Sequence, residues 1–259
     1  MRDQNSLKRT IDLFHEIFSK ALAPIPRTTV SEWADRHRMI PQGSANAGHW
    51  RTDQAPYQKE VMNAFTDPCI HEIAAMWAAQ GGKSEIMNNV IARFSHVDPC
   101  PIMMIQPTLM DGEDYSKRRI SPMIRATPIL QEIFTPPKAR DTNNTILSKF
   151  FPGGSLSIAG ANSPSALASK PIRILLCDEI DRYPDSAGGE GDPISLAEKR
   201  TTTYWNWIVA KFSTPTNKGD SRIEDEYALG TKEEWQHQCP NCKEFHLLDH
   251  INMKCDYAQ

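Results

Sequence analysis

Residues Gln80–Ser84 read Gln-Gly-Gly-Lys-Ser and lie between an apolar run and a stretch with helical periodicity. A bound phosphate needs several N–H donors and a nearby cation, and a tight turn from a strand into a helix supplies the donors. We expect Lys83 to contact the β- and γ-phosphates of a nucleotide and the Ser84 hydroxyl to bind Mg²⁺. The usual loop has a further glycine where this chain has Trp77, so the segment alone is also compatible with a glycine turn and a surface lysine.

An acidic pair, Asp178 and Glu179, follows the apolar segment IRILLC. In an open α/β sheet, ligands bind beyond the carboxyl ends of the strands, which is where the Lys83 loop is also expected. Asp178 can hold Mg²⁺ directly or through water, and Glu179 can orient and deprotonate an attacking water molecule. The loop and the acidic pair, in this order, predict nucleotide hydrolysis.

Two further segments are candidates for the same site. Tyr57 and Gln58 could bind adenine by stacking and by a bidentate amide contact, although packing at the start of a helix is a slightly more common role. The Ser213–Thr216 loop follows a predicted strand and could sense the γ-phosphate, or it could be a plain turn. The predicted nucleotide-binding set is Tyr57, Gln58, Gln80, Gly81, Gly82, Lys83, Ser84 and Glu85, and the predicted coupling set is Ser213, Thr214, Pro215 and Thr216.

Alternating strand and helix patterns predict an α/β fold with a mostly parallel, twisted sheet flanked by helices. Strands are expected for HEIAAMW, PIMMIQ, IRILLC and WIVAKFS, and a hairpin for ILSKFF with SLSIAG. Helices are expected for KSEIMNNVIARF, over residues 7–22 and over roughly 112–126. The helix expected over residues 7–22 is amphipathic. It could bind a partner or, more commonly, cover the core of its own chain.

The chain is expected to divide into an N-terminal helix and arm (1–50), a core domain (51–232) and a short Cys-containing segment (233–259). Its 259 residues carry a net charge of −3, so no overall basic field indicates nucleic-acid binding. There is no apolar run of about 20 residues and no secretory signal pattern, which predicts a soluble protein of the cytoplasm.

Six cysteines are scattered along the chain, a pattern more typical of free thiols or metal ligands than of a disulfide framework. Cys239-x-x-Cys242 is a turn suited to two thiolates on one Zn²⁺. The remaining ligands could come from Cys255, His237, His246 or His250, and a reduced cysteine pair is equally plausible. Buried apolar positions are expected for the other three cysteines, Cys69, Cys100 and Cys177.

The ordered set PYQ, QGGKSE, LLCDEID, FSTPT and CPNC resembles the large terminase subunit of tailed bacteriophages, of the A-protein (GpA) type. The resemblance covers about residues 32–250. It implies a RecA-like P-loop ATPase over the core domain, with ATP and Mg²⁺ as cofactors, that acts as a motor packaging double-stranded viral DNA in the host cytoplasm. It also implies a small terminase subunit, a portal or procapsid and further copies of the chain as partners. Lys83 and Glu179 become the catalytic residues, and Ser84 and Asp178 the Mg²⁺ ligands.

Two departures from the family pattern matter. Many large terminases carry an arginine inside the phosphate loop, and this loop has none. The arginine could come from Arg118, Arg119, Arg173 or a neighbouring subunit. The family also has a metal-dependent nuclease domain, for which too little sequence follows Asp249, so we expect this chain to carry only the ATPase. The alternative function is a RecA-like DNA helicase or translocase.

Overall fold

The computed structural model describes residues 2–22, 26–44, 46–134 and 144–247. The helices are α1 (Arg2–Leu22), α2 (Val30–His37), α3 (Lys59–Ala64), α4 (Lys83–His96), α5 (Leu109–Tyr115), α6 (Ser121–Ala126), α7 (Pro128–Ile133), α8 (Pro164–Leu167), α9 (Pro193–Glu198) and α10 (Arg222–Leu229). The strands are β1 (Met39–Ile40), β2 (Gly48–His49), β3 (Glu72–Met76), β4 (Pro101–Gln106), β5 (Ser148–Phe151), β6 (Gly154–Gly160), β7 (Ile174–Asp178), β8 (Ile208–Ser213), β9 (Gln236–Gln238) and β10 (Phe245–Leu247).

A six-stranded sheet in the order β3-β8-β7-β4-β6-β5 forms the centre of the molecule. All neighbours in it are parallel except β5 and β6, which form the predicted antiparallel hairpin. The α/β fold class, the strands and the hairpin are therefore confirmed. The helix expected over roughly 112–126 starts earlier, at Leu109, and its middle part, Ser116–Ile120, is a π-helix.

Both faces of the central strands are buried, because alternate residues of β4, β7 and β8 enter two separate apolar clusters. On β7, for example, Ile174 and Leu176 belong to one cluster, whereas Leu175 and Cys177 belong to the other. A strand without polar alternation is stable only with helices on both sides, which explains why the apolar segments of this sequence lie in the middle of the sheet.

The order of the strands brings the predicted motifs to one edge. β8 pairs with β3 on one side and with β7 on the other, so the loops after β3, β7 and β8 leave the sheet side by side. These are the loops that carry Lys83, Glu179 and Thr214. Parallel pairing is what places all three at the same edge.

Helix α1 leaves its apolar side chains open to solvent. Phe14 and Phe18 stack on each other with ring centroids 5.4 Å apart, yet they are 64% and 53% exposed. Of the two expected roles for this helix, covering the core of its own chain is therefore wrong for this structure. Among the described residues, no helix is long and apolar enough to cross a membrane.

The cysteines differ from expectation at one position. Cys100 and Cys177 are buried as predicted, and burial raises the pKa of the Cys100 thiol to about 12. Cys69 is exposed, so the prediction of a buried position is wrong. Its N–H donates to the Asp67 carboxylate in the turn that joins α3 to β3, and this local turn places it on the surface.

Candidate functional site

The loop from Trp77 to Gly82 joins β3 to helix α4 through two left-handed residues, Gln80 (φ 64°) and Gly82 (φ 86°). The left-handed backbone of Gly82 strains any residue with a Cβ, and that Cβ would also displace the amide of Gln58, so glycine is favoured at this position. No side chain caps the first turn of α4. The backbone N–H groups at the start of this helix are therefore suited to bind an anion.

Lys83 is the first residue of α4, and its side chain is only 7% exposed. Its Nζ donates to Oγ1 of Thr214 at 2.5 Å and lies 3.3 Å from Oε1 of Glu179 and 3.4 Å from the carbonyl oxygen of Trp77. The structure thus brings the phosphate loop, the acidic pair and the Ser213–Thr216 loop together at one ammonium group.

Asp178 ends strand β7 with a carboxylate that is almost fully buried. Its Oδ2 accepts a hydrogen bond from Nε2 of Gln106 at 2.9 Å. Burial raises the pKa of Asp178 to about 6, because a charged carboxylate is poorly solvated there. A divalent cation bound at this oxygen would offset that penalty, so the residue fits a hard-metal ligand.

Glu179 has a left-handed backbone (φ 54°), and it precedes a short 3₁₀ turn over Ile180–Arg182. A non-glycine residue in this region is strained, and such strain is common at functional sites. Here the backbone turns the Glu179 side chain toward Lys83, whereas Asp178 stays at the end of the strand. Two adjacent carboxylates therefore have different environments, one buried and one partly exposed and paired with a cation.

The Ser213–Thr216 loop is held from two sides. The carbonyl oxygen of Ser213, which is fully buried, accepts from the N–H of Trp77 at 3.0 Å. Thr214 accepts from Lys83, and the N–H and hydroxyl of Thr216 both donate to Asp181. The loop is thus bonded both to residues 77–82, here called the phosphate loop, and to residues 179–182, here called the acidic turn.

Tyr57 and Gln58 lie beside the phosphate loop. Nε2 of Gln58 donates to the carbonyl oxygen of Gly81 at 3.2 Å, and the Oε1 atom is buried with no hydrogen-bond partner among the described residues. The Tyr57 ring meets the ring of Trp77 edge-on at 5.6 Å and that of Trp235 at 6.3 Å. A buried acceptor without a partner and three aromatic rings therefore lie next to the loop.

Glu85, in the first turn of α4, accepts from Nη2 of Arg38 at 2.9 Å and lies 3.7 Å from Nη1 of Arg119. The Arg38 side chain is only 1% exposed, and desolvation lowers the pKa of its guanidinium. The primary contact of Glu85 in this structure is therefore an ion pair that fixes the start of the helix.

The three arginines considered as substitutes for the missing loop arginine lie in different places. Arg173 pairs with Asp98 at 2.7 Å, and its N–H donates to the carbonyl oxygen of Pro101, the first residue of β4. It therefore lies at the amino-terminal edge of the parallel strands, opposite the site, and is excluded as a contact to the phosphate from within this chain. Arg118 is 77% exposed and pairs with Asp114. Of the three, Arg119 alone is bonded to the first turn of α4.

Cys239 and Cys242 lie in the turn between β9 and β10. Backbone N–H groups of Cys242 and Asn241 lower the pKa of the Cys239 thiol, and Sγ of Cys242 lies 3.8 Å from Nε2 of His246. Within the part of the chain that the structure describes, no three His, Cys, Asp or Glu side chains are arranged to hold a metal. Cys255 and His250 lie outside the described residues.

Sequence reasoning missed three residues that complete the site: Asp181, Arg38 and Gln106. Asp181 belongs to the LLCDEID segment, and its role was hidden because a third carboxylate after a strand resembles an ordinary polar turn. Gln106 is the last residue of β4, and Asp178 is the last residue of the neighbouring strand β7. Their contact could have been predicted if the order of the strands had been known. Arg38 had no signal, since its partner Glu85 is 47 residues away.

Comparison with known proteins identifies the family of this chain. Residues 44–258 match the family model described as "Phage terminase large subunit gpA, ATPase domain". The chain is 29% identical over 229 residues to the terminase large subunit of Escherichia phage lambda (87% of this chain, 35% of the relative). It is 28% identical over 206 residues to that of Enterobacteria phage P21 (78% of this chain, 32% of the relative). It thus spans about a third of the length of these curated relatives.

The fold is also similar to the crystal structure of the HK97 bacteriophage large terminase, with a TM-score of 0.62 at 14% identity, over 79% of this chain and 42% of that one. This likeness supports the arrangement of the sheet, and the family match extends over most of the chain, from before Tyr57 to beyond Cys242. The chain belongs to the family of phage terminase large subunit ATPase domains.

Proposed function

We propose that this chain is the Mg²⁺-dependent ATPase of a motor that drives viral DNA into a procapsid. The observation that carries the proposal is the position of Lys83, whose ammonium contacts Glu179 and Thr214 at the edge of the sheet. Three segments that are far apart in the sequence converge on this group. Lys83 and Glu179 are the proposed catalytic residues.

In this proposal, Lys83 moves its charge from Glu179 to the β- and γ-phosphates when ATP binds. The N–H groups at the start of α4 and the turn Gln80-Gly81-Gly82 surround the phosphates. Glu179, released from the ion pair, then accepts the proton of the attacking water. The free carboxylate is thus available only when the nucleotide occupies the site.

Asp178 and Ser84 are the proposed ligands of Mg²⁺, which when bound would neutralise charge on the phosphates. Mg²⁺ usually binds to one or two protein oxygens, with waters and phosphate oxygens filling the remaining positions. The absence of a larger acidic cluster among the described residues is compatible with this type of site. The buried, unfavourably charged carboxylate of Asp178 fits the role best.

Tyr57 and Gln58 are the proposed adenine contacts. The Oε1 atom of Gln58 is buried and unpaired in this structure, and a rotation that exposes it would let it accept a hydrogen bond from an exocyclic amine. The ring of Tyr57 offers a stacking surface. Glu85 is retained in the nucleotide-binding set through its role in holding the first turn of α4, on which the Lys83 side chain is carried. Ser213, Thr214, Pro215 and Thr216 form the proposed coupling loop.

The proposed setting is the cytoplasm of the host cell, where copies of this chain assemble on double-stranded viral DNA with a small terminase subunit and a portal or procapsid. Cys239 and Cys242 could contribute two ligands to a Zn²⁺ site, for which metal analysis of the purified chain is the direct test: one zinc per chain that is lost in Cys242→Ser would support it.

The test is ATP hydrolysis by the purified chain, compared with Lys83→Ala and Glu179→Gln. We expect Lys83→Ala to weaken ATP binding, and Glu179→Gln to bind ATP but lose at least about 100-fold in hydrolysis. Lys117→Ala and Glu113→Gln are matched controls, because they form an exposed ion pair with each other away from the loop. Hydrolysis that survives in Glu179→Gln would refute the assignment.

Stimulation tests separate the motor from the alternative. A packaging ATPase should be stimulated by procapsids together with duplex DNA, whereas a helicase would separate strands without procapsids. Because motors of this kind act as rings, the assay should include a series of protein concentrations. Strand separation without procapsid stimulation would overturn the packaging proposal.

A further inference from the structure

Asp181 lies two residues after Glu179, and its carboxylate accepts four hydrogen bonds. Oδ2 accepts from the N–H of Thr216 at 3.0 Å, its hydroxyl at 3.1 Å and the hydroxyl of Ser221 at 2.7 Å. Oδ1 accepts from the N–H of Ile223 at 2.9 Å. Three of these four bonds therefore converge on one oxygen, Oδ2, and the fourth uses the other.

The four donors come from two different elements. Thr216 belongs to the coupling loop, whereas Ser221 and Ile223 form the start of α10, where Ser221 is the N-cap and also accepts from the N–H of Glu224. On the other side, the N–H of Asp181 donates to the hydroxyl of Ser213 at 3.3 Å. One residue therefore connects the acidic turn, the coupling loop and the N-terminus of a helix.

The chemistry makes this connection rigid. Burial raises the pKa of Asp181, but the hydrogen bonds from Ser221, Ile223 and Thr216 outweigh burial and hold the pKa below its ordinary value. The group is thus charged at neutral pH, and hydrogen bonds to a charged acceptor are about twice as strong as neutral ones. A negative charge at the start of α10 is also favoured by the helix dipole.

Helix α10 continues the connection. It ends at Leu229, and the hydroxyl of Tyr227 donates to the carbonyl oxygen of Glu233 at 3.3 Å. Two residues further, Trp235 meets the ring of Tyr57 beside the phosphate loop. Helix α10 and the segment after it therefore reach from the acidic turn, which Asp181 bonds to the start of the helix, to Tyr57, which Trp235 contacts.

We propose that Asp181 is a positioning residue. It transmits the change that ATP binding causes in the acidic turn to helix α10 and to the segment after it. The inference rests on the proposed ATPase function. When ATP displaces Lys83 from Glu179, the turn that carries Glu179 changes its contacts, and the bonds of Asp181 pass that change to Thr216, Ser221 and Ile223. Asp181 touches neither ATP nor the metal in this scheme.

The central variant is Asp181→Asn, which keeps the shape but loses the charge. Thr216→Val is a milder variant that removes one of the four bonds. Asp192→Asn is the matched control, because Asp192 caps α9 through the N–H of Ser195 and holds α10 through Arg222, both at 2.8 Å, without touching the coupling loop.

The first measurement combines two assays. Steady-state ATP hydrolysis gives kcat, and binding of a fluorescent ATP analogue gives the Kd. We expect Asp181→Asn to lower kcat about tenfold or more while the Kd changes less than about twofold, since only the geometry of the turn is altered. Thr216→Val should lower kcat less, and Asp192→Asn should keep the parent kcat. The melting temperatures of all variants show whether a loss of kcat comes from a changed geometry of the turn or from a loss of stability.

The second measurement is hydrogen exchange of residues 222–229 with and without a non-hydrolysable ATP analogue and Mg²⁺. The parent and Asp192→Asn should show slower exchange in α10 when the analogue is bound, and Asp181→Asn should show no such change. An equal response in parent and Asp181→Asn would overturn the inference. A kcat of Asp181→Asn equal to that of the parent would also overturn it. So would a loss of kcat in Asp192→Asn that accompanies a lower melting temperature, because kcat would then follow the stability of the protein and not the bonds of Asp181.

Failure of the proposed function and failure of the role of Asp181 give different results. If the parent chain neither binds nor hydrolyses ATP, the proposed function fails, and the inference fails with it. If the parent binds ATP and α10 does not respond, the ATPase assignment stands and only the role of Asp181 is refuted.

Discussion

Replacing Asp178 with asparagine should raise the free energy of unfolding in the absence of metal, because it removes a charged carboxylate that burial leaves poorly solvated. Burial raises the pKa of Asp178 from its ordinary 3.8 to about 6. Between these values the unfolded chain loses its proton and the folded chain keeps it, so the free energy of unfolding of the parent falls by about 1.4 kcal/mol per pH unit. Over about two pH units the loss is about 3 kcal/mol. Asparagine does not ionise, and its amide oxygen can still accept from Gln106.

The assay is urea denaturation of parent and Asp178→Asn from pH 4 to pH 8, with a metal chelator in the pH series and without it in the samples that receive Mg²⁺. The stability of the variant relative to the parent should rise between about pH 4 and pH 6 and stay constant above. At pH 7.5, Mg²⁺ at about ten times its Kd should stabilise the parent by about 1.4 kcal/mol and leave the variant unchanged. Asp220→Asn, at an exposed position, is the control. A pH-independent difference between parent and Asp178→Asn would refute the reasoning.

Three further outcomes follow from the site. Glu85→Ala should lower the free energy of unfolding by about 3–5 kcal/mol, because it leaves the buried Arg38 without its carboxylate, and urea titration against Glu113→Ala measures this. Gly82→Ala should abolish binding of a fluorescent ATP analogue, since the added Cβ meets Gln58 at a left-handed position; binding equal to that of the parent would contradict it. Trp235→Ala should weaken ATP binding up to about tenfold but not binding of inorganic triphosphate, whereas equal losses would exclude a contact with the base.

The elements of the central sheet could be predicted from sequence because their signals are local. The segment around Ile174–Cys177 lacks polar alternation, which a strand buried on both faces requires, and the loop at Gly81 and Gly82 has the two glycines that a close backbone approach needs. The early start of α5 at Leu109 was not predicted, although Thr108 and Asp111 form a capping box there. The apolar stripe of α1 predicted an amphipathic helix but not whether its own chain would cover it.

The candidate site shows the same division. The residue types at Lys83, Asp178 and Glu179 were identified from their motifs, and the structure places Lys83 and Glu179 in contact. The location of Arg173 could not be predicted, because a position just before a strand indicates an edge of the sheet only when the direction of the neighbouring strands is known. The same holds for the exposed Cys69, which depends on a turn rather than on its residue type.

By itself, the sequence determined which groups are available for chemistry: a Gly-Gly-Lys-Ser segment, an acidic pair and a hydroxyl-rich loop in a fixed order. Only the tertiary structure decided how these groups are connected. The insertion of β8 between β3 and β7 brings Thr214 to Lys83, and the fold of the chain around Asp181 joins the Ser213–Thr216 loop to α10. Such contacts join residues that are tens of positions apart, and their partners depend on strand order and direction, which no local pattern encodes.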